Sequence, residues 1–230
     1  MEGRSYSEAS RRRCYPPGMA ETPATPARLR IDFVSDVVCP WCAVGLASLE
    51  KALERTRGEV EAEIHFQPFE LNPQLGPEGE DATEHLQKKY GMPAAQVAAN
   101  QEAIRARGAE LGFTFDMDRR RHIYNTFDAH RLLHWAETAG HQRELKHALL
   151  RAYFSEGRDV SDHDTLVEIA TGVGLPAERA REILGSDEFA QDVRIVEQYF
   201  MDAGIRSVAI WRLPPVSDSR KRVMSHAPRP

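Results

Sequence analysis

The 230-residue chain has little of what would make it a stapled scaffold, a membrane protein or a nucleic-acid binder. It carries only three cysteines, too few for a disulfide framework in a small secreted fold. No apolar run approaches the roughly 18 residues that a spanning helix needs. Positive charge is not in excess: the formal net charge of -5 gives no electrostatic footprint for nucleic acid. The opening stretch, "MEGRSYSEASRRRCYPPGMAETPATPA", lacks the apolar core of a signal peptide, and Glu2, Glu8 and its prolines argue against a mitochondrial-type presequence. Residues 1–27 are therefore expected to be a disordered tail, with Met19 as an alternative start and Cys14 as a spectator. What remains, with 41% hydrophobic and 28% charged residues, is ordinary for a soluble chain that buries a core.

Two of the three cysteines lie three positions apart, in "SDVVCPWCAVG". The segment before them, "RLRIDFVSD", alternates and is rich in branched and aromatic residues, which predicts a strand. After them, Val44, Leu46, Leu49, Ala52 and Leu53 recur at helical spacing. "VEAEIHFQPFEL" alternates again. Residues 28–75 thus read as a strand–helix–strand unit with parallel strands and a right-handed crossover. Residues 76–185 read as helices alone, punctuated by Gly91, Gly112, Gly140 and Gly157, with caps at Asp81 and Ser161-Asp162 and with Pro176 in a first turn. A returning helix is expected within 186–210. Residues 211–230 show neither alternation nor a helical period, and Pro214-Pro215 oppose a strand; they read as a divergent, irregular tail.

A CxxC pair at the start of a helix, directly after a strand, is a chemical statement. Cys39 falls about at the N-cap, where free backbone N–H groups and the positive dipole end stabilise a thiolate. Pro40 fits the first helical position, where its missing N–H costs nothing. Cys42 is placed to attack a mixed disulfide formed on Cys39, which makes a two-electron couple on one helical turn. A zinc half-site is one alternative, but zinc wants four ligands and no second CxxC follows. An inert core pair is the other, though it has no use for a helix N-terminus. His130 and His134 stand four apart in "HRLLH", a metal-ligand spacing without the glutamate of HExxH, so no metal site is assigned.

"FVSDVVCPWCAVG", with "FQPFELNP", "NTFDAHRLLHWA" and "YFSEGRDVSDHDTL" following in order, resembles the DsbA-like branch of the thioredoxin superfamily. The resemblance runs from about Leu29 to Val208. It is nearest to the cytoplasmic FrnE-like proteins, relatives of hydroxychromene carboxylate isomerases and kappa-class glutathione transferases. It implies an α/β, thioredoxin-like fold with a large helical insertion. It implies a thiol–disulfide oxidoreductase or isomerase in the cytoplasm, with Cys39 as nucleophile and Cys42 as resolving cysteine. Protein disulfides or glutathione would be the partners, with glutathione as a candidate co-substrate and no metal or organic cofactor. Trp41, lacking the positive charge of a histidine, implies a weaker oxidant than DsbA itself, and it offers an apolar face to substrate or packs in the helix turn. In the family the helix of Asn125 and His130 faces the active site, so these two are candidates to line the thiol cleft or to pack the helical block.

The end of the chain departs from this pattern. After "GIRSV" the family continues with a cis-proline, two antiparallel strands and a helix. Here Ala209 stands at the proline's place and Arg, Ser and Pro follow. The C-terminal half of the sheet is expected to be missing or altered, as a frameshift or recombined end after Val208 would leave it. Two competing readings follow: a glutathione-dependent isomerase or transferase on a small aromatic substrate, and a catalytically impaired remnant. Relatives of the first kind carry serine at the Cys39 position, so the second cysteine favours redox chemistry.

Overall fold

The computed structural model describes residues 26–76 and 78–213; the expectations for residues 1–25, Cys14 among them, and for 214–230 lie outside these. Strand β1 (Ala27–Ser35) leads through a short turn into helix α1 (Pro40–Arg55), and β2 (Val60–Pro68) returns parallel to β1 in unbroken register from Ala27↔Val60 to Ser35↔Pro68. This is the expected crossover unit. β1 starts exposed and ends with Phe33, Val34 and Ser35 fully covered, so it delivers the chain into the interior just before the cysteines. Full burial of a side chain such as Phe33 contributes about 1.5–3 kcal/mol.

The segment between β2 and the return helix is helical, with one exception. The helices are α2 (Ala82–Tyr90), α3 (Ala94–Leu111), α4 (Phe127–Thr138), α5 (Gln142–Phe154), α6 (His163–Gly172) and α7 (Ala177–Leu184). Asp81 caps α2 by accepting from the backbone N–H groups of Thr83 and Glu84, and Gly91 ends it in the left-handed conformation. Asp162 caps α6 through Thr165 N–H. The exception corrects the all-helical reading of 76–185: β3 (Glu80–Asp81) pairs antiparallel with β4 (His122–Ile123). Helix α4 starts only at Phe127, because the Asn125 side chain accepts from Phe127 N–H and gives the chain a local alternative to helix.

Helix α8 (Ala190–Asp202) returns to β2, and β5 (Ile210–Arg212) then pairs antiparallel with β1 on its other edge, giving the order β2-β1-β5. This corrects the irregular reading of 211–230 at its start. Trp211 and Arg212 are strand residues, and the Trp211 ring lies 6.4 Å from that of Phe33. Only one antiparallel strand follows Val208 among the described residues, and the sheet there has three strands.

Helices α4, α5 and α8 pack along β2, while α1 packs on α3. The helical segment and the strand–helix–strand unit share one hydrophobic cluster, running from Phe33 and Phe66 to Leu132, Leu149 and Phe154. One polar joint ties them. The Gln142 amide accepts from Phe66 N–H at 2.9 Å and donates to Phe66 C=O at 3.0 Å, which satisfies that residue on the outer edge of β2, where no further strand pairs among the described residues.

Candidate active site

Cys39 is the N-cap residue of α1, with an extended backbone (φ -94°, ψ 116°), and Pro40 follows at the first helical position. The first turn of α1 holds no acidic residue, so nothing there offsets the positive helix end. Cys42 N–H donates to Cys39 C=O at 3.0 Å, which folds the two cysteines into one turn. Both are free thiols and both are buried, Cys39 at 5% exposure and Cys42 completely. Trp41, between them, is 53% exposed.

The two thiols differ sharply in acidity. The Cys42 thiol, as a hydrogen-bond donor toward Cys39, is the largest influence on it. Together with the backbone N–H groups of Cys42 and Trp41 it holds Cys39 below the ordinary thiol value, against burial and the charge of Asp36. Burial pushes Cys42 well above that value, and the bond to Cys39 and its charge push the same way; Lys146 opposes them. One sulfur is therefore disposed to be a thiolate and its neighbour a thiol.

Beneath the pair lies a buried charged group. Asp36, three residues before Cys39, is fully buried and accepts from Leu71 N–H at 2.8 Å. Its other oxygen faces His130 Nε2 at 3.5 Å, an ion-pair distance at which neither atom completes a hydrogen bond. Burial is the largest influence and raises the Asp36 carboxyl, but His130, the Leu71 N–H and the charge of Lys146 together outweigh it and leave the pKa lowered. Lys146 is also fully buried, its Nζ makes no hydrogen bond among the described residues, and it lies 6.0 Å from the centre of the Phe66 ring. Burial lowers its pKa, and the charges of Cys42, Asp36 and Cys39 resist.

On the outer side Cys39, Pro40 and Trp41 border a cavity of about 580 Å³ between the start of α1 and helices α2 and α3. Asn125 and His130, the two candidates for the thiol cleft, do not border it. The Asn125 amide holds Leu75 C=O at 3.2 Å and caps Phe127, a bracing role, while His130 sits on the buried side against Asp36. The sequence reading missed Asp36 and Lys146. Both left a signal: an aspartate among apolar residues at a strand end, and a lysine three and four residues before Leu149 and Leu150 on an apolar stripe.

A family model described as "DSBA-like thioredoxin domain" matches residues 30–208. YwbO of Bacillus subtilis is 28% identical over 170 residues, covering 72% of this chain and 76% of YwbO. The structure of a probable DsbA oxidoreductase from Streptomyces coelicolor superposes with a TM-score of 0.76 at 35% identity, covering 80% of each chain. A 2-hydroxychromene-2-carboxylate isomerase shares the fold at a TM-score of 0.58 and 12% identity, covering 81% of this chain and 86% of the isomerase.

Proposed function

This chain belongs to the DSBA-like thioredoxin domain family, and from that membership we propose that it carries out thiol–disulfide exchange through Cys39 and Cys42. The observation that carries the reading is the split acidity of two buried thiols at one helix N-terminus. Exchange needs a thiolate to attack and a second thiol held in reserve.

The reaction runs in two displacements. The Cys39 thiolate attacks one sulfur of a substrate disulfide, that S–S bond breaks, and the first substrate thiolate leaves. Cys42 then loses its proton and attacks Cys39 Sγ, releasing the second substrate thiolate and closing the Cys39–Cys42 disulfide. The substrate gains two electrons and the protein loses two; the reverse sequence oxidises a dithiol. The couple resides in the two sulfurs and calls on no metal or organic cofactor.

Cys42 has no solvent-exposed surface, so its proton must pass to a buried group. Lys146 fits that task as the neutral amine that burial favours: its Nζ makes no hydrogen bond among the described residues, and the charges of Cys42 and Asp36 favour its taking up a proton. Asp36, which faces His130, completes the buried set, and its charge favours a proton on Lys146. In this reading Lys146 and Asp36 are positioning and proton-handling groups for the resolving step.

The test is a redox titration of the purified chain in glutathione buffers of graded potential, read by thiol alkylation and mass. A single two-electron transition linking Cys39 and Cys42 is expected. Two thiols that titrate independently, with no intramolecular disulfide, would overturn the proposal and favour an impaired remnant. Activity that survives Cys42→Ala and demands glutathione would instead favour a glutathione-dependent isomerase or transferase.

A further inference from the structure

The cavity beside Cys39 has a charge pattern that thiol–disulfide exchange alone does not require. Its walls are mainly apolar, with Val97, Ile104 and Ile123 facing it. Besides Cys39 itself, the charged residues on it are Lys89 and Arg120, both basic, with His85 beside them and no aspartate or glutamate among its lining. In a chain of net charge -5, this is a local reversal of sign next to the attacking sulfur.

Neither of the two cations meets a carboxylate directly among the described residues, although the charges of Asp36 and Cys39 reach Lys89 from a distance. The His85 ring meets the Glu80 carboxylate at 2.6 Å, so it is paired. The Lys89 ammonium spends its hydrogen bonds on neutral oxygens, Leu71 C=O at 2.9 Å and Asn72 Oδ1 at 2.6 Å. Arg120 is 5% exposed; its guanidinium donates through Nε to the Tyr153 hydroxyl at 3.0 Å and stacks over the Tyr153 and Phe154 rings. Neither Lys89 nor Arg120 has a carboxylate within 4.0 Å among the described residues. A buried guanidinium without an anion is costly unless something supplies one. At the mouth, Trp41 and Tyr90 are both more than half exposed, two aromatic faces flanking an apolar hollow.

We propose that this cavity binds low-molecular-weight disulfides that carry a carboxylate on an apolar or aromatic body, with Arg120 and Lys89 receiving the carboxylate while Cys39 attacks the sulfur. The inference rests on the exchange reading above and names its substrate class. The volume suits one small molecule, and its mixture of apolar wall and a few convergent polar groups is that of a ligand pocket. Arg120 offers a planar fork to a carboxylate, and Lys89 a point charge.

The experiment compares two aromatic disulfides of similar size: 5,5′-dithiobis(2-nitrobenzoate), which carries carboxylates, and 4,4′-dithiodipyridine, which is uncharged at neutral pH. Each is mixed with the fully reduced chain, and thiol release is followed by absorbance. With the first reagent, Cys39 takes one nitrothiobenzoate as a mixed disulfide and releases the other as thiolate. Attack by Cys42 then releases the second, and the two protein thiols give up their protons. Rates are normalised to those of dithiothreitol with the same reagents, which removes intrinsic reactivity.

The expected result is a normalised preference for the anionic disulfide, falling about tenfold or more in Arg120→Gln and in Lys89→Gln. A change that acts only on the Cys39 thiolate or on packing alters both rates together and leaves their ratio alone. An unchanged ratio in Lys89→Gln, whatever the absolute rates, overturns the inference; this variant is decisive if Arg120→Gln does not fold. The neutral reagent separates the two levels. If it still closes the Cys39–Cys42 disulfide, detected by mass, the exchange reading stands while the substrate class is rejected. If it closes none, the exchange reading itself falls.

Discussion

At the scale of single residues, the site depends on an asymmetry that two identical side chains acquire from position. Cys39 follows a strand by a short turn and caps a helix; Cys42 is one turn deeper, within the field of Lys146. Since the Cys42 thiol is the first cause of the lowered Cys39 pKa, Cys42→Ala is expected to move the midpoint of Cys39 alkylation upward, toward the ordinary thiol value. Iodoacetamide rates across pH, followed by mass, check this; an unmoved midpoint would assign the effect to the helix end alone. The sign for stability follows. A depressed acid pKa contributes stability that is complete above the unfolded value and is lost as pH falls through the folded one. The raised Cys42 acts oppositely, its contribution being lost as pH rises through its folded value. Lys146 carries a second prediction. A buried amine without a hydrogen bond costs stability, so Lys146→Met is expected to be neutral or stabilising by about 1 kcal/mol or more in urea melts. The same variant should lengthen the lifetime of the mixed disulfide on Cys39, measured by acid quench and mass. A shortened lifetime would remove Lys146 from the resolving step.

At the scale of elements, close approaches decide which substitutions the fold tolerates. Gly108 sits inside α3, where glycine is otherwise unfavourable, because a Cβ there would stand 2.4 Å from the Phe115 ring and 2.7 Å from Phe113 C=O. Gly108→Ala should therefore destabilise by about 1–3 kcal/mol rather than gain helix propensity, as read by thermal or urea unfolding. The β2 edge gives an independent test. Gln142→Leu removes both partners of the Phe66 peptide groups and is expected to cost about 1–3 kcal/mol, with little effect on Cys39 alkylation, since Gln142 borders neither the cysteines nor the cavity. At the end of the sheet Ala209 is held at φ 62°, with its N–H on Val34 C=O at 3.0 Å. This left-handed conformation costs a non-glycine residue about 1 kcal/mol, part of which Ala209→Gly should recover.

At the scale of the whole molecule, the α/β, DsbA-like thioredoxin fold with a helical insertion serves as a clamp with two sides. The buried side brings α4 and α5 against β2 and sets His130 and Lys146 under the cysteines; the outer side brings α2 and α3 over the start of α1 and forms the cavity. A shared hydrophobic cluster joins the two halves, so unfolding is expected to be one cooperative transition for the described residues, and a separate early loss of the helical block in calorimetry would contradict that. Among the described residues no helix is long and apolar enough to cross a membrane.

The sequence by itself determined the parts that local spacing encodes. The period-two runs located β1 and β2, the 3.6-residue period located α1, and Asp81, Asp162 and the glycines marked helix ends, because each of these signals lies within a few residues of what it specifies. The same locality placed Cys39 at a helix N-cap. Strands of two or three residues have no period to read, so β3, β4 and β5 emerged only where distant segments paired. The roles of Asn125 and His130 were likewise decided by contact: α4 brings His130 to the site from beneath, while Asn125 lies ahead of that helix and braces Leu75. The cavity is wholly a tertiary product. Cys39, Lys89 and Arg120 come from three separated stretches of chain, and the lack of a carboxylate directly beside the last two among the described residues is a property of what surrounds them in space, which no local pattern records.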